Sequence, residues 1–265
     1  MKAILLGAGQ GTRLRPLTDD RPKCMVEVDG TPLLTWQLHA LRAAGVDDVV
    51  VVRGWCRTAI RGDGLRFVDN PDFATTNMLE SLHRARSEMH GDVLIAYTDL
   101  LYRPEVVQAA RESRADIGVV VDLDWRSLWE RRMDDPLSDA ETLRTDGHGR
   151  LLEIGQPPSS YEQIQAQYLG LVRLSPAGCE VVRDALDHAA TTPDAAAFGS
   201  PRGFARAYLT DLLHGLAQRG TVVKTIPIRG GWAEVDSLDD LAVAEAIVQE
   251  QRWSRPAAEP ASVSA

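Results

Sequence analysis

The sequence predicts an α/β fold built on a doubly wound, mainly parallel sheet of Rossmann-like type. Three observations predict it. Short apolar runs alternate with segments of helical apolar spacing. The run at 48–52, Asp-Val-Val-Val-Val, is continuously apolar after its first residue, as a strand covered on both faces requires. The first run, 2–6, passes directly into a glycine-dense loop, and in such sheets ligands sit at the carboxyl ends of the strands.

Taken in order, residues 2–6 form the first strand. Residues 33–44 have helical spacing, with Thr31-Pro32 as the start and Gly45 as the stop. Strands follow at 48–52 and 65–68, then a polar loop at 70–76 and a helix at 77–89. Residues 93–97 read as a strand, 105–111 as a helix and 117–121 as a strand, which with right-handed crossovers puts helices on both faces. The segment 124–143 is less regular and carries Trp125, Trp129 and many charges. Beyond it, 150–154 and 167–174 read as strands, 177–188 and 204–218 as helices, 222–228 as a strand and 238–250 as a closing helix. The Pro/Ala/Ser-rich tail at 254–265 predicts disorder. No repeat or linker divides the chain, so 1–250 reads as one domain with an inserted substrate-binding subregion.

Composition narrows the function. With 44% apolar residues a 265-residue chain can bury a substantial core. A net charge of −9 argues against a nucleic-acid or anionic-membrane surface, though a few placed cations suffice for one nucleotide. The three cysteines, Cys24, Cys56 and Cys179, have no zinc spacing and form no disulfide framework. The N-terminal apolar run is cut off by glycines too soon for a membrane span or a signal peptide, so the expected location is the cytoplasm. The histidines are scattered and form no triad-like motif, so covalent catalysis is not expected.

The stretch Gly7-Ala8-Gly9-Gln10-Gly11-Thr12-Arg13 lets backbone N–H groups approach phosphate oxygens closely. It lacks the Gly-Lys-Ser/Thr of a P-loop and the Gly-x-Gly-x-x-Gly spacing of a dinucleotide site. An isolated loop of this kind is as well a plain strand-to-helix turn. Two cations add weight: Arg13, whose guanidinium can fork onto phosphate oxygens, and Lys23 after Pro22, a mobile point charge.

The run Gly9-Gln10-Gly11-Thr12-Arg13-Leu14-Arg15-Pro16-Leu17-Thr18, followed by Pro22-Lys23, closely resembles the signature of the sugar-phosphate and phosphocholine-type nucleotidyltransferases. The resemblance implies that Leu6, Gly7, Ala8, Gly9, Gln10, Gly11 and Thr12 hold a nucleoside triphosphate. It implies that Arg13 contacts the phosphates and Lys23 lies at the α-phosphate, the two acting as electrostatic catalysts. Such transfer needs neutralisation of charge around phosphorus, which Mg²⁺ supplies from carboxylates at strand ends. Asp99 follows the apolar run 93–98, and Asp236 precedes the last helix. Both resemble the family's metal-binding aspartates, with Glu234 as an alternative ligand and Thr98 on the nucleotide side. As plain residues they are a turn acid and a helix-start acid.

Further segments bear on the acceptor. Where sugar nucleotidyltransferases carry Glu-Lys-Pro, this chain has Glu153-Ile154-Gly155-Gln156-Pro157, with Gln156 in place of the lysine. The segments 70–78, 135–142, 165–171 and 208–213 resemble those of the phosphonate cytidylyltransferases, the branch this chain resembles most. Thr76 and Asn77 offer the donors and acceptors that discriminate a pyrimidine, and Asn77 also suits a helix N-cap. Trp125 and Trp129 form an acceptor wall or simple core packing. Arg126, Arg131 and Arg132 grip a phosphonate or face water, and Asp135, Asp139 and Glu141 receive an amine or face water. Gln156, Gln167 and Asp211 complete the expected acceptor set, drawn from 122–165 and 190–235. The expected function is CMP transfer from CTP to a small phosphonate or phosphocholine-like phosphate, by a monomer or homodimer, without nucleic-acid or membrane partners. A sugar-1-phosphate transferase using dTTP or UTP and a non-catalytic nucleotide sensor are the alternatives.

Overall fold

The computed structural model describes residues 1–62, 64–192, 198 and 203–256. The chain opens with β1 (Lys2–Gly7), a small hairpin of β2 (Glu27–Val28) and β3 (Thr31–Pro32), α1 (Leu33–Ala43), β4 (Asp48–Arg53) and β5 (Leu65–Asp69). Next come α2 (Met78–Arg84), β6 (Val93–Tyr97), β7 (Leu100–Tyr102), α3 (Pro104–Glu112), β8 (Ile117–Asp122) and α4 (Trp125–Arg132). The remainder is β9 (Leu143–Thr145), β10 (Leu151–Ile154), β11 (Gln167–Leu174), α5 (Pro176–Thr191), α6 (Leu209–Gln218), β12 (Val223–Ile228), β13 (Trp232–Glu234) and α7 (Leu238–Glu250).

Seven strands form the central sheet in the order β12-β8-β11-β6-β1-β4-β5. All neighbours are parallel except β11, which runs antiparallel to both β6 and β8. The mixed, mainly parallel sheet expected from the sequence is therefore present. Helices cover both of its faces, and this explains the unbroken apolar runs. Ala3 and Leu5 of β1 belong to one core layer with Trp36 and Leu41 of α1 and Val107 of α3. Ile4 and Leu6, pointing the other way, share a second layer with Leu79 and Leu82 of α2 and Val182 of α5. A strand whose every residue is buried has no polar side to alternate with.

Three expectations need correction at their edges. The helix expected over 77–89 stops at Arg84 and continues only as a 3₁₀ turn, Arg86–Glu88, because Met89 must turn into the core before β6 begins. The helix expected over 204–218 starts at Leu209: Phe204–Arg206 is a 3₁₀ turn, and the Asp211 carboxylate accepts the Tyr208 N–H to cap α6. The irregular 124–143 segment contains α4 and, beyond it, a turn in which Asp135 caps the Leu137 N–H. Of the tail, 257–265 lies outside the described residues, while Arg255 pairs with Asp29 at 3.0 Å. Among the described residues no helix is long and apolar enough to cross a membrane.

One short pairing positions chemistry. β13 runs antiparallel to β7, with Glu234 opposite Leu100, and the Val235 N–H donates to the Asp99 carbonyl at 2.8 Å. This carries the 234–236 segment to the carboxyl end of β6.

Candidate active site

The loop after β1 is shaped around Lys23. Gly11 has φ 72°, and a Cβ there would lie 2.9 Å from the Lys23 Cβ, so only glycine fits. The Thr18 hydroxyl donates to the Gly11 carbonyl at 2.8 Å and closes the loop. Lys23 leaves an extended Pro22 in a 3₁₀ turn, Lys23–Met25. Its Nζ donates to Asp99 Oδ2 at 2.9 Å and also to Asp236 Oδ1. Arg13 Nη2 meets the other Asp236 oxygen at 2.5 Å, with the Arg13 side chain 65% exposed. Two cations thus converge on two carboxylates that are far apart in sequence. Beside Lys23, burial pushes the Cys24 thiol up to about 12, so no thiolate nucleophile stands there.

Asp99, Glu234 and Asp236 each offer an oxygen within 4.8 Å of the others. Asp99 Oδ1 is buried without a hydrogen-bond partner among the described residues. An orphaned carboxylate oxygen within an all-oxygen donor set suits a hard divalent cation such as Mg²⁺. Burial raises the Glu234 pKa; the Arg132 guanidinium opposes this and the Asp99 charge adds to it.

Two cavities meet at this cluster. The first, about 350 Å³, is lined by Leu6, Ala8, Gly9, Gly11 and Thr12 of the loop, by Lys23, and by Thr76, Asn77, Thr98 and Asp99. Thr98 is buried and donates to the Leu6 carbonyl at 3.2 Å, tying β6 to β1. The Asn77 side chain accepts the Met78 N–H at 2.9 Å, the N-cap of α2. The Thr76 hydroxyl donates to the Asp72 carbonyl and accepts from Asn70 Nδ2, so it is held within its own loop. Gly7 and Gln10 do not line the cavity; a Cβ on Gly7 would meet Thr98 and the Val52 carbonyl at 3.4 Å, a packing position.

The second cavity, about 400 Å³, shares Arg13, Met78, Tyr97, Glu234 and Asp236 with the first. Trp129, Asp139, Glu141 and Gln167, named from the sequence as acceptor residues, also line it. The Gln167 amide brackets the Glu141 backbone, donating to its carbonyl at 2.5 Å and accepting its N–H at 3.2 Å. The rest of the wall is Tyr168, Leu169, Gly170, Tyr208, Thr210 and Trp232, none of which the sequence singled out as a site residue, although 165–171 and 208–213 are among the segments of resemblance. A register shift in β11 and a positive φ at Gly170, where a Cβ would strike the Tyr97 ring at 2.5 Å, shape this wall. Trp129 Nε1 and Tyr168 Oη are buried without hydrogen-bond partners among the described residues.

Four expected acceptor residues stand elsewhere. Trp125 is buried edge-on to Trp129, with ring centroids 5.8 Å apart, and is core packing. Arg132, 2% exposed, is committed to Asp240 and Glu234 at 2.7 and 2.8 Å. Gln156 is exposed and off both cavities, and its backbone pairs with Thr142. Asp211 caps α6. Arg126 and Arg131 pair with Glu130 and Glu250 on the surface. Trp232 was within reach of the sequence, since it alternates with Glu234, which the sequence marked as an alternative metal ligand.

A Gly-rich turn at the end of β1, a lysine beside strand-end carboxylates and two cavities meeting there define a nucleotidyltransferase. The chain belongs to the family described as the MobA-like NTP transferase domain, whose model matches residues 3–221. It is 33% identical over 257 residues to the CTP:phosphoglutamine cytidylyltransferase of Campylobacter jejuni, covering 92% of this chain and 98% of that protein. It is 33% identical over 119 residues to the 2-aminoethylphosphonate cytidylyltransferase of Lancefieldella rimae, covering 43% of this chain and 48% of that one. In fold it is similar to the CTP:phosphocholine cytidylyltransferase of Streptococcus pneumoniae, with a TM-score of 0.67 at 21% identity, covering 93% and 98% of the two chains.

Proposed function

We propose that the chain transfers CMP from CTP to a small phosphonate, or a phosphocholine-like phosphate, and releases pyrophosphate. The observation that carries this reading is the meeting of two cavities at Arg13, Glu234 and Asp236. The first takes the nucleotide against the Leu6–Thr12 loop, with Thr76, Asn77 and Thr98 around it. The second takes the acceptor. Beyond the meeting point its lining carboxylates are Asp139, which the buried Arg132 faces at 3.9 Å, and Glu141, with no lysine or arginine among the described residues lining it there, so its far end suits an ammonium group rather than a second anion. Three of the relatives named above act on a phosphoglutamine, an aminoethylphosphonate and a phosphocholine, as their names state. The segments 122–165 and 190–235 supply the acceptor side of a single domain over 1–250; of these, 193–197 and 199–202 lie outside the described residues.

An oxygen of the acceptor's phosphonate or phosphate attacks the α-phosphorus of CTP. The bond from that phosphorus to the bridging oxygen breaks, and pyrophosphate leaves with the electron pair. Lys23 and Arg13 stabilise the charge that develops on the phosphate oxygens, and positioning does the rest, with no protein nucleophile. Mg²⁺ held by Asp99 and Asp236, with Glu234 as a further oxygen donor, would neutralise charge on the same oxygens.

A pyrophosphate-release assay crosses the four common NTPs with aminoethylphosphonate, hydroxyethylphosphonate, phosphocholine, phosphoglutamine and hexose 1-phosphates. The expected result is turnover with CTP and an amine-bearing acceptor. Turnover only with a hexose 1-phosphate and dTTP or UTP would overturn the reading.

A further inference from the structure

Among the described residues Arg132 is the most buried cation beside the site, and it lines neither cavity. Its side chain is 2% exposed. Nε donates to Asp240 Oδ1 at 2.7 Å, Nη2 reaches Asp240 Oδ2 at 3.4 Å, and Nη1 donates to Glu234 Oε2 at 2.8 Å. Its guanidinium carbon stands 4.9 Å from the centre of the Trp129 ring, which lines the acceptor cavity. Asp240 in turn uses Oδ2 to accept the backbone N–H groups of Asp236 at 3.0 Å and Ser237 at 2.9 Å. One guanidinium on α4 therefore holds the Glu234 side chain directly and the Asp236 backbone through one carboxylate.

A buried ion cluster is weak evidence for stability, because desolvation consumes much of its Coulomb gain. Three carboxylates whose oxygens lie within 4.8 Å of each other also repel, so backbone pairing that brings the 234–236 segment to Asp99 does not by itself hold the side chains together. The fork geometry of arginine supplies what a point charge does not: two partners fixed at one angle to each other.

We propose that Arg132 is a positioning residue that sets the Glu234–Asp236 segment in the geometry that binds the divalent cation. The proposal rests on the reading that Asp99, Glu234 and Asp236 hold that cation. It makes a prediction opposite in sign to simple electrostatics. Removing a positive charge beside three carboxylates should tighten cation binding if charge alone matters. If Arg132 positions the ligands, removal should weaken it.

The test is Mn²⁺ binding, followed by electron paramagnetic resonance on the full chain without substrates, so it does not depend on which nucleotide or acceptor is used. Arg132→Met keeps length and removes the charge; Arg132→Lys keeps the charge and cannot hold both partners. Both are expected to bind Mn²⁺ about 10- to 100-fold more weakly, the usual loss when a residue that orients metal ligands is removed. Circular dichroism and thermal unfolding establish that the variants are folded. Should Arg132→Met not fold, Asp240→Asn carries the test, since it breaks the link from Arg132 to the Asp236 backbone, and it is expected to weaken binding as well. Unchanged or tighter Mn²⁺ binding in a folded variant overturns the proposal, as does full recovery by Arg132→Lys. Asp99→Asn separates the two readings: if it leaves Mn²⁺ binding intact, the cation site itself is wrong; if it removes binding while Arg132→Met does not, only the positioning role is wrong.

Discussion

The cavity proposed for the nucleotide takes its loop, Arg13 and Lys23 from one stretch, Leu6 to Lys23, while the cavity proposed for the acceptor collects Trp129, Asp139, Glu141, Tyr168, Tyr208 and Trp232 from positions spread over 129–232. The two also differ in charge. Lys23 lines only the first, and carboxylates dominate the second. The difference teaches how such a site divides its labour. A triphosphate is the same in every reaction of this class, so in the proposed division a contiguous loop with fixed glycines and two cations would serve it. The acceptor is the variable partner, and a wall assembled from separate segments can be changed one segment at a time without disturbing the loop.

The division breaks most sharply under substitution of the shared chemistry. Lys23→Ala and Asp99→Asn are each expected to lower kcat on the order of 10²-fold or more, because they remove charge stabilisation at the reacting phosphorus. The loss should be equal with every acceptor that the enzyme accepts. Steady-state pyrophosphate release measures it, and near-normal turnover in either variant would remove that residue from the chemistry.

A smaller and more selective effect is expected on the other side. Asp139→Asn or Glu141→Gln should raise KM for an amine-bearing acceptor about tenfold, the order of one hydrogen bond to a charged group. KM for CTP should stay as it was. If KM for CTP rises equally, the two cavities do not serve separate substrates. A hydroxyl-bearing acceptor sharpens the comparison, since its KM should respond less than that of its amine counterpart.

The same division explains what the sequence disclosed. The doubly wound sheet was legible because strands such as 48–52 are buried on both faces and carry no polar alternation. That Arg13, Lys23 and Asp99 stand at one place in the fold was legible because one sits in a contiguous motif, one follows a proline, and one ends a clear strand. Gly7 and Gln10 lie in that motif but off the cavity, since half of a tight loop faces away from whatever the other half binds. The acceptor side was read less well. Arg132 has the residue type of an anion clamp, yet its neighbours Glu234 and Asp240 come from over a hundred positions away and consume it. Asp211 looks like a ligand in sequence and is a helix cap in space. The three-residue strands β7 and β13 leave no periodic trace at that length, although the β7–β13 pair delivers Glu234 to Asp99.

Asn77 tests the comparison at its finest, because a cap and a base reader can be the same residue. Its Oδ1 is spent on the Met78 N–H, which leaves the side-chain amide free to donate. Asn77→Ser keeps a cap of equal quality and removes the amide; Asn77→Ala removes both. The cap alone predicts that Ala loses about 1 kcal/mol of stability, that Ser loses almost none, and that neither changes KM for CTP. A base-reading amide predicts instead that both variants raise KM for CTP, by roughly threefold to tenfold for one neutral hydrogen bond. Thermal unfolding separates the first quantity and initial rates the second. We expect both effects, with Ser moving KM and leaving stability in place. A Ser variant with unaltered KM would assign Asn77 to the helix alone and leave the choice of base to the backbone of the glycine loop.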